Sequence, residues 1–134
     1  MKQTAKLFYS IGFIFNILGI LVFAIFLALL CVSYNAADII AKVAQDTQET
    51  EELVKNIILL IIIIFAIIIA LHITSILLVI FARGNLAKKT GIVFPHVIIL
   101  VMGLLDFNFL YLLGGIFGCV AASKDNDLDD EDDE

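Results

Sequence analysis

Polar side chains that could do chemistry lie inside the apolar runs of this chain. The segment IIIALHITSILL places His72, Thr74 and Ser75 within a stretch of isoleucine, leucine and alanine. An ionisable ring in such a stretch could serve catalysis, carry a proton or an ion, or fasten two helices through a hydrogen bond. The choice depends on the solvent around the segment and on the groups that can reach it.

The composition indicates that this solvent is lipid. Of the 134 residues, 62% are hydrophobic, and the mean hydropathy is +1.09. A soluble domain of this size leaves too much of its surface in water to hide that much apolar area. The formal net charge of -6 does not contradict this, because eight of the fourteen acidic residues lie in the last ten positions, DNDLDDEDDE. We expect residues 123–134 to form a disordered acidic tail.

Two long apolar segments predict transmembrane helices. Residues 7–32 and 57–82 each span 26 positions without a charged side chain, and about 20 positions suffice to cross a bilayer. The isoleucine run in the second segment favours a strand in water, but a lone strand in lipid would leave its backbone groups unpaired. The alternative for the first segment is a cleaved leader ending at Cys31. Its length and the large Leu30 before the cysteine argue against cleavage.

The last apolar region, residues 92–122, is too long for one crossing. As a single helix it would extend roughly 46 Å, beyond a hydrocarbon core of about 30 Å. Asp106 and Asn108 lie near its middle and predict a turn. We therefore predict two short helices, residues 91–105 and 109–122, with the turn at the outer membrane face. Because each is short, a re-entrant hairpin that dips partway is the alternative to full crossing.

These segments define an all-α, polytopic membrane protein. The prediction is one four-transmembrane-helix bundle over residues 1–122, with two long helices followed by a short helical hairpin. The outer loop, residues 33–56, should carry a short amphipathic helix, because Ile39, Ile40 and Val43 have helical spacing. Lysine and arginine flank the predicted spans mainly on one side of the membrane, and such residues are enriched on the cytoplasmic side. We therefore predict a multi-pass protein of the plasma membrane with both termini in the cytoplasm.

The layout of the chain resembles a known group of proteins. It opens with KQTAKLFYSIGFIFNILGI, continues through an acidic outer loop and the basic turn ARGNLAKKTGIV, and closes with YLLGGIFGCVAASKD. This pattern resembles the small four-helix membrane proteins of Gram-positive bacteria that form a domain-of-unknown-function family, over nearly the whole chain. The resemblance implies a bacterial plasma-membrane protein, and it brings no activity and no site residues.

Small and polar residues at helical spacing predict contacts between helices. Small side chains let two backbones approach, and an amide among them can bond across the contact. The last helix carries a GxxxG pair, for which packing inside the bundle is favoured over a dedicated dimer face. The predicted contact residues are Gly12, Asn16 and Gly19 on the first helix, Ala66, Ala70, His72, Thr74 and Ser75 on the second, and Gly114 and Gly118 on the last.

Depth matching gives His72 a partner. If residues 7–32 and 57–82 are antiparallel neighbours, Asn16 lies level with Ile73 and one residue from His72. We therefore predict that Asn16 contacts His72, which would satisfy two polar groups that lipid cannot. With Asp106 placed at the outer turn, no carboxylate would lie near His72 in depth, so a proton relay lacks its partner. Packing is the favoured interpretation.

Other chemistry finds little support in the sequence. His72 and His96 lie on different predicted helices without further ligands, so no metal site is expected, and no catalytic, cofactor-binding or nucleic-acid-binding pattern is present. We therefore expect a protein without enzymatic activity, with the lipid bilayer and another membrane protein or a second copy as partners. It would act as an accessory or structural subunit through helix contacts. The alternative is an oligomeric transporter or channel with His72 and Ser75 on a polar seam.

Overall fold

The computed structural model describes residues 1–87 and 92–131, and in residues 125–131 it describes the backbone only. Throughout these residues the regular structure is helical, without a strand, as the all-α prediction requires. Five helices follow one another: α1 (Lys2–Asn35), α2 (Ala37–Thr47), α3 (Glu51–Asn85), α4 (Phe94–Leu105) and α5 (Phe109–Glu131).

The two long helices contain the two predicted long spans. α1 has 34 residues and α3 has 35, and both are long and apolar enough to cross a membrane. Only 6% of the most apolar 18-residue window of either helix is buried within the chain. The isoleucine-rich run is helical, as expected when backbone groups must pair within their own segment. A core helix of a soluble protein would be mostly covered, and this exposure is compatible with insertion into a membrane.

The predicted amphipathic helix of residues 33–56, called the connector below, is α2. Ile40 and Ala44 on its inner face are buried together with Val54 at the start of α3. α2 ends in a Schellman motif, in which Gln48 takes the left-handed conformation with φ 58° and the Glu49 N–H donates to the Ala44 carbonyl at 3.0 Å. The connector is therefore built from two helical ends around a tight turn.

The last two helices form the predicted hairpin, divided at Asp106, Phe107 and Asn108. α4 begins at Phe94, with a proline in its first turn, where a missing N–H costs nothing. Gly91, where we predicted its start, lies outside the described residues. α4 ends in a second Schellman motif, with Phe107 at φ 51° and the Asn108 N–H donating to the Gly103 carbonyl at 2.8 Å. Both left-handed positions are thus held by residues other than glycine.

The acidic end of the chain, predicted as a disordered tail from residue 123, is instead helical over most of its length. α5 continues to Glu131, and residues 132–134 lie outside the described part. Extension of an existing helix adds one hydrogen bond for each residue fixed, without a new nucleation cost. The helical end of the apolar segment can therefore carry polar residues with it.

The chain divides into two compact units. One comprises residues 1–18 and 72–134, and the other comprises residues 19–71. The first has a core built around two fully buried tyrosines, Tyr9 on α1 and Tyr111 on α5, with Val79, Ala82 and Ile99 among their neighbours. In the second, Phe65 packs edge-on against Phe23 with ring centroids 5.5 Å apart. The polar residues singled out from the sequence lie mainly in the first unit.

Candidate functional site

A serine on α3 meets a carboxylate at the hairpin turn. Ser75 is fully buried, and its hydroxyl donates to Oδ2 of Asp106. Ser75 lies seven positions before Ala82, inside the apolar stretch of α3. Asp106 and His72 line the same cleft. The prediction that Asp106 lies far from His72 in depth is therefore wrong. α4 has only 12 residues, about 18 Å of helix, so the turn at its end meets α3 partway along its apolar stretch.

Asn108 joins the same turn to α1. Its Nδ2 donates to Oδ1 of Asn16 at 3.0 Å and to the carbonyl of Gly12 at 3.3 Å. Its Oδ1 accepts the backbone N–H groups of Leu110 at 3.2 Å and Tyr111 at 3.3 Å, which makes Asn108 the N-cap of α5. One amide side chain therefore starts α5 and fastens it to α1.

Asn16 and His72 come together as depth matching predicted, although not through the imidazole. Asn16 is 2% exposed, and its Nδ2 donates to the backbone carbonyl of His72 at 3.5 Å. The half-buried side chain of His72 lines a neighbouring cleft instead. Sequence reasoning located the level correctly. It could not tell whether Asn16 would contact the imidazole or the backbone carbonyl of His72. The register of two helices determines the depth of a residue, but not the rotation of each helix about its axis.

The cleft has a volume of about 320 Å³ and lies between α1, α3 and the hairpin turn. Its polar lining comes from Asn16, His72, Asp106 and Asn108. Among the described lining residues, Asp106 is the only carboxylate, and neither lysine nor arginine contributes. The cleft therefore offers a carboxylate flanked by amides and an imidazole.

Three phenylalanines and Leu110 complete the lining of the cleft. Phe15 on α1, Phe107 in the turn and Phe109 at the start of α5 are 60%, 86% and 75% exposed. Apart from Leu110, the apolar residues of the lining are therefore aromatic.

Two polar atoms near this cleft have no hydrogen-bond partner in the described part of the chain. They are Oδ1 of Asp106 and the hydroxyl of Tyr111, and both are buried. Buried polar groups are nearly always paired. These two atoms are exceptions to that rule among the described side chains.

A second polar network joins α1, α3 and α4. The hydroxyl of Tyr9 lies 2.8 Å from Nδ1 of His96, and the two rings stack with an interplanar angle of 10°. On the other side of the imidazole, Nδ2 of Asn85 lies 3.3 Å from Nε2 of His96. All three residues are at most 4% exposed, so the network is enclosed by the chain.

The backbone of Ile92 determines the roles in this network. Asn85 donates from Nδ2 to the Ile92 carbonyl at 2.6 Å and accepts the Ile92 N–H at Oδ1 at 3.4 Å. This pair fixes the orientation of the amide, so its remaining N–H faces Nε2 of His96. Nε2 then accepts, and the neutral imidazole carries its proton on Nδ1, which donates to the Tyr9 oxygen. His96 is thus used as a structural connector, with both ring nitrogens engaged.

Three of the predicted glycine contacts lie in packed positions. A Cβ at Gly114 would meet the Tyr9 ring at 2.6 Å, one at Gly12 would meet the Tyr111 ring at 2.5 Å, and one at Gly118 would meet Nδ1 of His96 at 2.6 Å. The GxxxG pair therefore packs against side chains of its own chain, the arrangement that the sequence favoured. Small residues here make room for three rings, those of Tyr9, Tyr111 and His96.

The other predicted small residues have different settings. Gly19 belongs to the second unit, apart from Gly12 and Asn16. Ala66, Ala70 and Thr74 on α3 are exposed. This alanine and threonine stripe is therefore a surface of the chain, and its role in packing stays a prediction.

Several site residues were not found from the sequence. Tyr9 and Tyr111 lie near the starts of predicted helices and Asn85 lies just beyond the end of one, where polar groups are ordinary. Their signal is that a polar group inside an apolar helix needs a partner. Within residues 1–87 and 92–131, no three histidine, cysteine, aspartate or glutamate side chains could hold a metal ion together.

Comparison with known proteins adds no relative. A scan of protein-family models, a search of curated proteins and a search of solved structures each found no match. The resemblance to a domain-of-unknown-function family stays a prediction. What the fold defines is an all-helical chain with two helices able to span a membrane.

Proposed function

We propose that this chain is an integral membrane protein without enzymatic activity, which acts as an accessory or structural subunit through its helix faces. The observation that carries the proposal is the exposure of α1 and α3, since only 6% of the residues in the most apolar window of either helix are buried by the chain itself. Apolar surface of this extent needs lipid or a partner helix. A multi-pass arrangement in the plasma membrane, with both termini in the cytoplasm, belongs to the same proposal.

The hairpin enters this proposal as a re-entrant element. Its turn bonds to Ser75 and Asn16, and these residues lie seven and nine positions inside the apolar segments that end at Ala82 and begin at Leu7. This depth along both segments supports a turn that lies within the hydrocarbon core of a bilayer. Polar atoms at such a depth are tolerated when other helices satisfy them, and the bonds to Ser75 and Asn16 supply that condition.

Photo-crosslinking in the native membrane tests the accessory role. A photoreactive residue at the exposed Ala66 should give one discrete adduct with a different membrane protein, whereas the same residue at the fully buried Ala82 should give none. Ala66→Leu in a wild-type background should reduce recovery of the same partner, because bulk at a small-residue contact separates two helices. Equal adducts from both positions, or self-adducts alone, would contradict the accessory role.

The cleft favours a second candidate function, a small transporter or channel. Its basis is the hydrogen bond between Ser75 and Asp106 beside His72. This bond adds a carboxylate to the predicted polar seam of His72 and Ser75, whereas the sequence analysis had placed Asp106 at the outer turn. Ionisable groups at membrane depth commonly mark ion or substrate pathways. Purified protein in liposomes should then show cation flux that Asp106→Asn abolishes and Asp46→Asn, in the connector, leaves intact. Flux unaffected by Asp106→Asn would remove this candidate.

A further inference from the structure

We propose that the cleft at the hairpin turn binds an organic cation of single charge that carries an apolar body. The site comprises the Asp106 carboxylate, the neighbouring amides of Asn16 and Asn108, and the rings of Phe15, Phe107 and Phe109. The binding site stands on this geometry alone. Movement of the ligand across a membrane would in addition require the second candidate function.

The charge of the cleft determines the sign of its ligand. Asp106 has one oxygen bonded to Ser75 and the other buried without a partner in the described part of the chain. The described lining includes no lysine or arginine to balance the carboxylate. In a low-dielectric setting a carboxylate attracts a cation more strongly than it does in water.

The aromatic wall determines the chemical class of that cation. Quaternary and other organic ammonium groups are attracted to ring faces, at about 0.5 to 2 kcal/mol for each ring depending on desolvation. Small inorganic cations instead need several oxygen ligands, and here Oδ2 of Asp106 and Oδ1 of Asn16 already accept hydrogen bonds. A volume of about 320 Å³ suits a ligand of small-molecule size.

The backbone at Phe107 adds an independent observation. This residue occupies the left-handed position of a Schellman motif, where glycine is the usual choice, and its side chain is 86% exposed. A phenylalanine there strains the turn and gains nothing from packing within the chain. Gln48 has the same backbone conformation in the connector, far along the sequence from the cleft residues. Glycine substitution at Gln48 therefore tests the effect of backbone strain alone, whereas the same substitution at Phe107 also removes a side chain that lines the cleft.

Binding of benzyltrimethylammonium to the full chain in detergent micelles tests the proposal. Equilibrium dialysis at pH 8, with empty micelles subtracted, should show saturable binding. The neutral carbon isostere neopentylbenzene should show only partition into micelles. Asp106→Asn should weaken affinity by at least about tenfold, the factor that corresponds to loss of 1.4 kcal/mol of interaction, whereas Asp46→Asn should leave affinity unchanged.

Glycine substitutions provide the control for folding. Phe107→Gly should raise the unfolding temperature and yet weaken binding, because it relieves the turn and removes a ring. Gln48→Gly should raise the unfolding temperature with affinity unchanged. The proposal is overturned if binding does not saturate, if Asp106→Asn or Phe107→Gly binds as tightly as wild type, or if Na⁺ but not K⁺ displaces the probe.

Discussion

Asn108 shows how much of this structure depends on single polar side chains. Its carbonyl oxygen caps α5, and its amide nitrogen bonds to Gly12 and Asn16 on α1. The residue type follows from this double role, because aspartate could cap the helix but could not donate to α1. The amide accepts at Oδ1 and donates at Nδ2, two separate atoms, whereas the hydroxyl of serine or threonine, the other common N-caps, would have to do both through one oxygen.

Substitution of Asn108 measures this role. Asn108→Ala should lower the free energy of unfolding by about 2 to 3 kcal/mol, because an N-cap is lost and the amide of Asn16 is left buried without its donor. Asn35→Ala is the matched control, since that exposed side chain bonds only the Cys31 carbonyl of its own helix, and it should cost less than about 0.5 kcal/mol. Denaturant titration in micelles followed by circular dichroism compares the two. Equal costs would refute the fastening role.

The protonation of His96 is a second prediction at this scale. The orientation of Asn85 requires the neutral ring with its proton on Nδ1. Nitrogen-15 NMR of labelled histidine in the His72→Gln variant observes this ring alone, because the chain has two histidines. The Nδ1 signal should be that of a protonated nitrogen and the Nε2 signal that of an acceptor. The opposite tautomer, with the proton on Nε2, would contradict the hydrogen bonds assigned between His96, Tyr9 and Asn85.

At the scale of elements, aromatic rings and glycines determine how closely the helices approach. Gly118 lies where a Cβ would fall 2.6 Å from Nδ1 of His96 and 2.7 Å from the Tyr9 hydroxyl. An added methyl group would have to separate α5 from both side chains and break their mutual bond. Glycine is therefore required at positions 114 and 118 because the side chains of Tyr9 and His96 occupy the space next to them.

Alanine at two helical glycines tests this explanation. Gly118→Ala should lower the free energy of unfolding by about 1 to 3 kcal/mol through overpacking. Gly84→Ala, where a Cβ meets nothing within 4 Å, should raise it by up to about 1 kcal/mol through helix propensity. Thermal and denaturant unfolding of the two variants gives the comparison. If both substitutions stabilise, the close approach at Gly118 is wrong.

The sequence predicts the elements well and their contacts only partly. The Asx-rich turn at residues 106–108 and the level of Asn16 with His72 follow from composition, length and antiparallel pairing. The partner of Asp106 does not, because it depends on how far a 12-residue helix reaches along α3. Tyr9, Asn85 and His96 come from three distant segments, and no local pattern links them.

At the scale of the whole molecule, the hairpin determines the topology. If α4 and α5 cross fully, Phe107 emerges at the outer face. If they form the proposed re-entrant hairpin, Phe107 stays within the membrane. The distinction also decides whether the cleft opens to water or to lipid.

Cysteine labelling in intact cells resolves the topology. In a background with Cys31→Ser and Cys119→Ser, a cysteine in place of Ser33 should react with a membrane-impermeant maleimide from outside, since it lies at the end of α1, in the stretch predicted as the outer loop. Phe107→Cys should resist the same reagent until detergent is added, because maleimide needs a hydrated thiolate. Rapid labelling of Phe107→Cys in intact cells would establish full crossing and end the re-entrant proposal.

The bonds at the hairpin tip also imply an order of assembly during synthesis. Asp106 and Asn108 emerge from the ribosome after α1 and α3, and their partners Asn16, Gly12 and Ser75 are on those earlier helices. A hairpin that entered lipid first would carry an uncompensated carboxylate and amide into hydrocarbon. The two long helices therefore serve the later pair as a template already in place, and α4 and α5 expressed without them should fail to insert.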